Sequence, residues 1–147
     1  MFNKVAFIGL GLIGSSLARV LRANQLTQTI VASSRSPRTL SLALDIGLID
    51  AGYADAAEAV QDADLVVLAM PVCATQSVLA AIKDNLKASV IITDVGSTKG
   101  NVVAAAETVF GAVPARFIPA HPIAGSEQSG VLAGKVDLFD RHKVIIT

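Results

Sequence analysis

Three glycines in the pattern G-x-G-x-x-G, at Gly9, Gly11 and Gly14, separate a wholly apolar run from a helix-period stripe, and few folds accommodate that order. Val5-Ala6-Phe7-Ile8 has no polar position, as a strand buried on both faces requires. Ile13, Leu17, Val20 and Leu21 then recur at helical spacing and predict an inward stripe. Strand, tight glycine turn and helix form the opening unit of a doubly wound α/β sheet, and the turn is a cradle for phosphates. Gly9 makes the turn, Gly11 lets backbone approach a pyrophosphate, and Gly14 lets helix and strand pack closely. Leu12 and Ile13 open the helix, whose first N–H groups lack helical partners and whose positive dipole end favours an anion. The competing reading, a glycine-rich turn that binds nothing, leaves the entropic cost of the glycines unexplained.

The rest of the chain repeats the alternation. Strands are predicted at 29–32, 65–70, 90–93, 116–119 and 143–147, and helices at 55–62, 74–86 and 98–110. A further helix opens at Ser36-Pro37, with Leu40, Leu44 and Ile46 expected to face inward and Gly47 to cap it. A Gly- and Ser-rich loop is expected from about Ala120 to Gly134. Alternating strands and helices argue an α/β class, a Rossmann-type domain over residues 1–147 with a mostly parallel sheet and right-handed crossovers.

Composition narrows the function classes. Twelve basic and twelve acidic residues cancel, so no global field draws in nucleic acid or anionic lipid, and neither is an expected partner. Cys73 is the single cysteine, which rules out an internal disulfide and suits a reducing, cytoplasmic setting. The apolar stretch Leu65 to Ala74 is roughly half the length a bilayer span needs. The N-terminus loosely imitates a signal peptide, but no A-x-A-like cleavage site follows. No metal-ligand set is assigned.

Cofactor choice in such folds is read about twenty residues past the glycines. An acid there binds a ribose 2′-hydroxyl, but this chain carries Ser33-Ser34-Arg35-Ser36, and Asp45 lies well inside the next helix. An Arg among hydroxyls suits a 2′-phosphate, so NADP is favoured over NAD. The alternative is that Arg35 and Arg38 are solvated loop cations.

Two later segments carry candidate chemistry. Thr93-Asp94-Val95-Gly96-Ser97-Thr98-Lys99 leads from a strand's carboxyl end into a helix. Ser97 alone reads as a helix cap, and Lys99 either as a substrate or cofactor contact or as a solvated first-turn lysine. His121 opens the second segment, His-Pro-Ile-Ala-Gly-Ser-Glu-Gln-Ser-Gly. A loop histidine is ordinarily satisfied by backbone, yet its pKa also fits it to take a proton near neutrality. If strand order follows chain order here, both segments share one edge of the sheet. His142, between Arg141 and Lys143, reads as a surface residue, and Cys73 as a small packing residue.

With Gly-Leu-Gly-Leu-Ile-Gly-Ser-Ser-Leu-Ala from Gly9, these segments resemble the prephenate/arogenate dehydrogenase family, from Asn3 to Thr147. The glycine motif is shared by many dehydrogenases; the other two, in this order, are far more specific. The resemblance implies oxidative decarboxylation in tyrosine biosynthesis, prephenate giving 4-hydroxyphenylpyruvate or arogenate giving tyrosine, with hydride passing to NADP or NAD. It implies that His121 is the catalytic histidine that accepts a hydrogen bond from the substrate's ring hydroxyl. It implies that Ser97 keeps hydroxyl and histidine in register, and that Met70, Pro71, Val72, Val95 and Gly96 line the nicotinamide ribose.

Members of that family continue into a helical domain that supplies the dimer interface and the cations for the substrate's carboxylates, and nothing in these 147 residues matches it. The expectation is therefore a chain that binds cofactor, turns over substrate poorly by itself and leaves apolar surface uncovered. Two other readings remain. A β-hydroxyacid-type dehydrogenase shares the cradle but usually has a Gly-Gly substrate loop and a later catalytic lysine. A non-catalytic nucleotide-sensing module needs no His and Ser at the sheet edge.

Overall fold

The computed structural model describes residues 1–147. The chain runs β1 (Phe2–Ile8), α1 (Leu12–Ala23), β2 (Thr27–Ser33), α2 (Pro37–Asp45), β3 (Ala51–Tyr53), α3 (Ala56–Ala59), β4 (Leu65–Leu68), α4 (Thr75–Ile82), β5 (Ile91–Asp94), α5 (Lys99–Phe110), β6 (Phe117–Ile118), β7 (Ala120–Pro122) and β8 (Val144–Ile146). Six strands form one parallel sheet in the order β3-β2-β1-β4-β5-β6. Successive strands step outward from β1 to β3, and the chain then returns to the other side of β1. Between β1 and β4 the connections diverge to opposite faces, and a crevice opens there at the carboxyl ends. The expected doubly wound, Rossmann-type α/β fold is the one observed.

The middle of the sheet is buried on both faces because consecutive positions there are apolar, as in Val5–Ile8, Ile30–Ala32 and Val66–Leu68. Val5, Phe7, Ile30, Ala32 and Val67 pack toward α1 and α2, while Ala6, Ile8, Val31, Val66, Leu68 and Ile92 pack toward α3, α4 and α5. At the amino ends, Asp64 ties β1 to β4: it accepts from the Asn3 and Lys4 N–H groups at 2.5 and 3.2 Å and pairs with Lys87. No helix is long and apolar enough to cross a membrane.

Several local expectations are corrected. In α1 the fully buried side is Gly14, Ser15, Ser16 and Ala18 with Leu21; Ile13, Leu17 and Val20 are half-buried. Small residues win that face because the helix lies directly against the strand tips. In α2 the inward residues are Leu40 and Ala43, whereas Leu44 and Ile46 are exposed. Gly47, at φ +67°, turns the chain so that Leu48 and Ile49 fill the core instead. The helix expected over 74–86 is divided: 3-10 turns at Val72–Ala74 and Lys83–Asn85 flank α4. Strand β3, three residues with a central glycine, gave no periodic signal. The predicted glycine-rich loop contains β7 and a 3-10 turn at Val131–Ala133. The final strand is not in the main sheet; β8 returns antiparallel on β7, with His121 opposite Ile145. No α-helix lies between β6 and β8, and the chain returns antiparallel on β7 instead of crossing over to the main sheet.

Candidate functional site

The loop after β1 is shaped by steric exclusion. Gly9 has φ +95°, and a Cβ there would lie 2.6 Å from the Ala69 carbonyl oxygen. A Cβ on Gly14 would lie 2.9 Å from both the Ala69 Cβ and the Gly9 carbonyl oxygen. These two glycines let α1 begin against β1 and β4. Gly11 differs. Its backbone (φ −72°, ψ −165°) suits any residue, and a Cβ would meet nothing within 4 Å. The fold itself gives no reason for glycine there; a ligand approaching the backbone does. Gly11 is also the N-cap of α1 and supplies no side-chain cap. The N–H groups of Leu12, Ile13 and Gly14 are thus left to an outside acceptor. No acidic residue lies in this first turn.

A cleft of about 500 Å³ opens from this loop. It brings together Gly9, Gly11, Ser33, Ser34, Arg35, Met70 and Pro71 from the predicted set, with Ser36, Ala54, Ala69, Ala74, Ser77 and Val78. No carboxylate lines it. Ser34 Oγ accepts from the Ser36 N–H at 3.1 Å, and Ser36 Oγ caps α2 through the Thr39 N–H. The chain's ion pairs use Arg22, Lys87 and Lys99, so Arg35 stands at the cleft without a carboxylate partner. Arg38 lies in an adjoining notch between α2 and Ser129–Leu132. Asp45 sits at the far end of α2.

The remaining predicted residues lie at the neighbouring strand ends rather than in the cleft lining. Gly96 follows β5, and a Cβ on it would meet Val72 Cγ2 at 2.6 Å, so Val72 packs over this turn and links it to Pro71. Val95 is half-buried, and its N–H donates to the Leu68 carbonyl at 3.2 Å. Ser97 is exposed, and it is not the cap of α5: Thr98 holds that position and makes no side-chain cap bond. His121 is half-buried on β7. Cys73 is exposed, contrary to a packing role. His142 is exposed, its Nδ1 3.1 Å from the Asp140 carbonyl oxygen.

Sequence reasoning missed what holds this edge together. Asp94 is 3% exposed, and it accepts from the Gly96 N–H at 2.8 Å and the Ala120 N–H at 3.1 Å. Lys99 pairs with Asp94 and also donates to the Ala120 carbonyl at 2.8 Å. Lys99 is therefore neither solvated nor aimed outward. An Asp five residues before a Lys across a strand-to-helix turn was the available signal. At the far end of the His121 loop, Ser16 Oγ accepts from the Lys135 N–H at 2.9 Å, and Val131 is buried against the core beside α1. The loop is pinned at one end to β5 and at the other to the cradle helix.

Comparisons with known proteins agree with this layout. A model of the family described as "Prephenate dehydrogenase, nucleotide-binding domain" matches residues 17–147. The cyclohexadienyl dehydrogenase of Zymomonas mobilis is 42% identical over 150 residues, covering 100% of this chain and 50% of that protein. The prephenate dehydrogenase of Lactococcus lactis is 37% identical over 146 residues, covering 99% and 41%. Among solved structures, prephenate dehydrogenase from A. aeolicus, in complex with hydroxyphenyl propionate and NAD+, superposes with a TM-score of 0.90 at 31% identity, over 100% of this chain and 51% of that one. Synechocystis arogenate dehydrogenase gives 0.87 at 29% identity, over 98% and 49%. The chain spans about half the length of the relatives it matches.

Proposed function

The chain belongs to the prephenate dehydrogenase family through its nucleotide-binding domain, and we propose that it holds the nicotinamide cofactor of an oxidoreductase that oxidatively decarboxylates prephenate or arogenate in tyrosine biosynthesis. The observation that carries this reading is Gly11: an unstrained glycine, facing open space, at the N-cap of an uncapped helix, on the wall of the cleft. Such a position suits the close approach of a phosphate group to backbone N–H groups.

Gly9, Gly11, Leu12, Ile13 and Gly14 cradle the phosphates by backbone. Ser33, Ser34 and Arg35 take the adenosine ribose. With no carboxylate in the lining and an unpaired Arg35 beside two hydroxyls, the 2′-phosphate form, NADP, fits better than NAD. Met70, Pro71, Val72, Val95 and Gly96 form the wall toward β5 and receive the nicotinamide end. When bound, the nicotinamide supplies a hydride acceptor.

The protein's part is to orient the substrate and handle its proton. His121, in the neutral form, accepts the hydrogen bond of the substrate's ring hydroxyl as the carbinol carbon is oxidised. Ser97, exposed and free of any cap role, holds that hydroxyl in register. Loss of the ring carboxylate as carbon dioxide then leaves its electron pair to the aromatic ring. The cations that bind the substrate's carboxylates lie in a helical substrate and dimerisation domain of the kind the family carries. The exposed apolar side chains of Ile118, Ile123, Val144, Ile145 and Ile146 offer it a face. The setting is cytoplasmic.

The test replaces the matched half of the Zymomonas mobilis enzyme with residues 1–147 and supplies prephenate or arogenate with NADP+ or NAD+. Formation of reduced cofactor with one of the two substrates is expected. A folded chimera that binds NADP+ but oxidises neither contradicts the proposal. In the same chimera, Arg35→Ala should lower the NADP+ to NAD+ preference in kcat/KM by roughly tenfold or more, the worth of one charge-assisted pair.

A further inference from the structure

We propose that the buried Asp94–Lys99 pair is a positioning device that sets Ser97 and His121 relative to one another; this rests on the roles given to those two residues above. The backbone ladder between β5 and β6 ends at Thr93 opposite Ile118. Beyond that point side chains take over. Thr93 Oγ1 donates to the Ile118 carbonyl at 2.8 Å. Asp94 Oδ1 then accepts the Ala120 N–H at 3.1 Å, and Lys99 Nζ donates to the Ala120 carbonyl at 2.8 Å. Both backbone polar groups of Ala120 are thus held by one ion pair from β5 and α5, immediately before His121. The second Asp94 oxygen holds the Gly96 N–H at 2.8 Å, immediately before Ser97.

Stability alone does not account for the pair. A buried ion pair costs desolvation, and apolar residues of equal volume commonly serve a core as well or better. Asp94 is 3% exposed and the Lys99 side chain 15%, so the cost is real. What apolar side chains could not do is bind three backbone groups in two separate segments. The pair fixes, through one rigid centre, the residue preceding each proposed site group.

The experiment uses the 147-residue chain without ligand and compares Lys99→Met, Lys99→Arg and Asp94→Asn by NMR. Amide exchange at Ala120 and the resonances of Ser97 and the His121 ring are the readouts, with the amides of Gly9 to Gly14 as internal reference. Lys99→Met, which removes the donor to the Ala120 carbonyl, is expected to displace the Ser97 and His121 signals. Asp94→Asn, which weakens the acceptor of the Ala120 N–H, is expected to speed Ala120 exchange by about tenfold or more. The reference amides should stay in place. Lys99→Arg, which keeps charge and donors, should restore the native pattern. Should Asp94→Asn fail to fold, Lys99→Met still decides, because it leaves both Asp94 backbone bonds intact. Unmoved Ser97 and His121 signals in Lys99→Met, or equal movement at Gly9 to Gly14, overturn the proposal. No cofactor or substrate is present, so failure of the dehydrogenase reading leaves this result independent.

Discussion

Gly9 and Gly14 hold the phosphate cradle by what they lack, whereas Asp94 and Lys99 hold the His121 edge by buried charge. In the cradle, a missing Cβ lets three backbones meet near Ala69, and the side-chain bond to the loop, from Ser15 Oγ to the Gly11 carbonyl at 2.7 Å, leaves the N–H groups at the helix start free. At the edge, the strand ladder has run out, and one carboxylate and one ammonium do the joining. On the proposed reading the cradle presents bare N–H groups to an anion, and side chains there would compete with the ligand. If the edge places Ser97 and His121 against a reacting hydroxyl, as proposed above, polar fixtures that stay put serve it.

This contrast can be broken by substitution. The largest effect is expected for His121→Asn in the chimera: turnover falls about 10²–10⁴-fold, the usual worth of a general base, while NADP+ affinity is unchanged. Equal loss of both assigns His121 a structural role. Next comes Gly9→Ala, where a positive φ and a 2.6 Å approach to Ala69 combine. Thermal or urea unfolding should show a loss of roughly 3 kcal/mol. Gly11→Ala sharpens the contrast within the cradle. Its stability should hold or rise by about 0.4–1 kcal/mol, as for Gly→Ala at a compatible backbone, while NADP+ affinity falls roughly tenfold or more. A Gly11→Ala protein that binds as the wild type does removes the case for a pyrophosphate at that point.

The smallest effect concerns the opposite end of the sheet. Hydrogen bonding to Lys87, then to the Asn3 and Lys4 N–H groups, holds the Asp64 carboxyl below its ordinary value of 3.8. A depressed carboxylate adds stability that is present above the unfolded value and is lost as pH falls through the folded one. Asp64→Asn should therefore cost about 1 kcal/mol or less at neutral pH, with the gap to wild type closing below about pH 4. A gap that widens in acid contradicts the assignment.

The same contrast explains what the sequence discloses. The cradle is local: Gly9, Gly11 and Gly14 stand beside the strand and helix they serve, so spacing alone identifies them. Arg35 is legible for the same reason, two residues past the end of β2. The His121 edge is assembled from residues 21 to 26 positions apart, Lys99 and Asp94 with Ala120, and no periodicity records such a contact. Asp94 therefore read as part of a motif rather than as its centre, and Lys99 as either a substrate or cofactor contact or a solvated lysine, not as the partner of Asp94. The β7–β8 hairpin was hidden similarly, because Val144–Ile146 looks like any short buried strand although its residues are exposed. In α2, Leu44 and Ile46 misled because apolar spacing cannot show that Gly47 turns Leu48 into their place.

One measurement joins the two regions. In an amide NMR titration of the 147-residue chain with NADP+, a single ligand lying across the carboxyl ends of the sheet should shift Gly9 to Gly14, Ser34 and Arg35 at one end and Gly96, Ser97 and His121 at the other. ATP, which has phosphates and adenosine but no nicotinamide, should shift only the first group. Identical footprints for the two ligands, or a preference for ATP, would contradict the reading of this chain as the cofactor-holding part of a dehydrogenase.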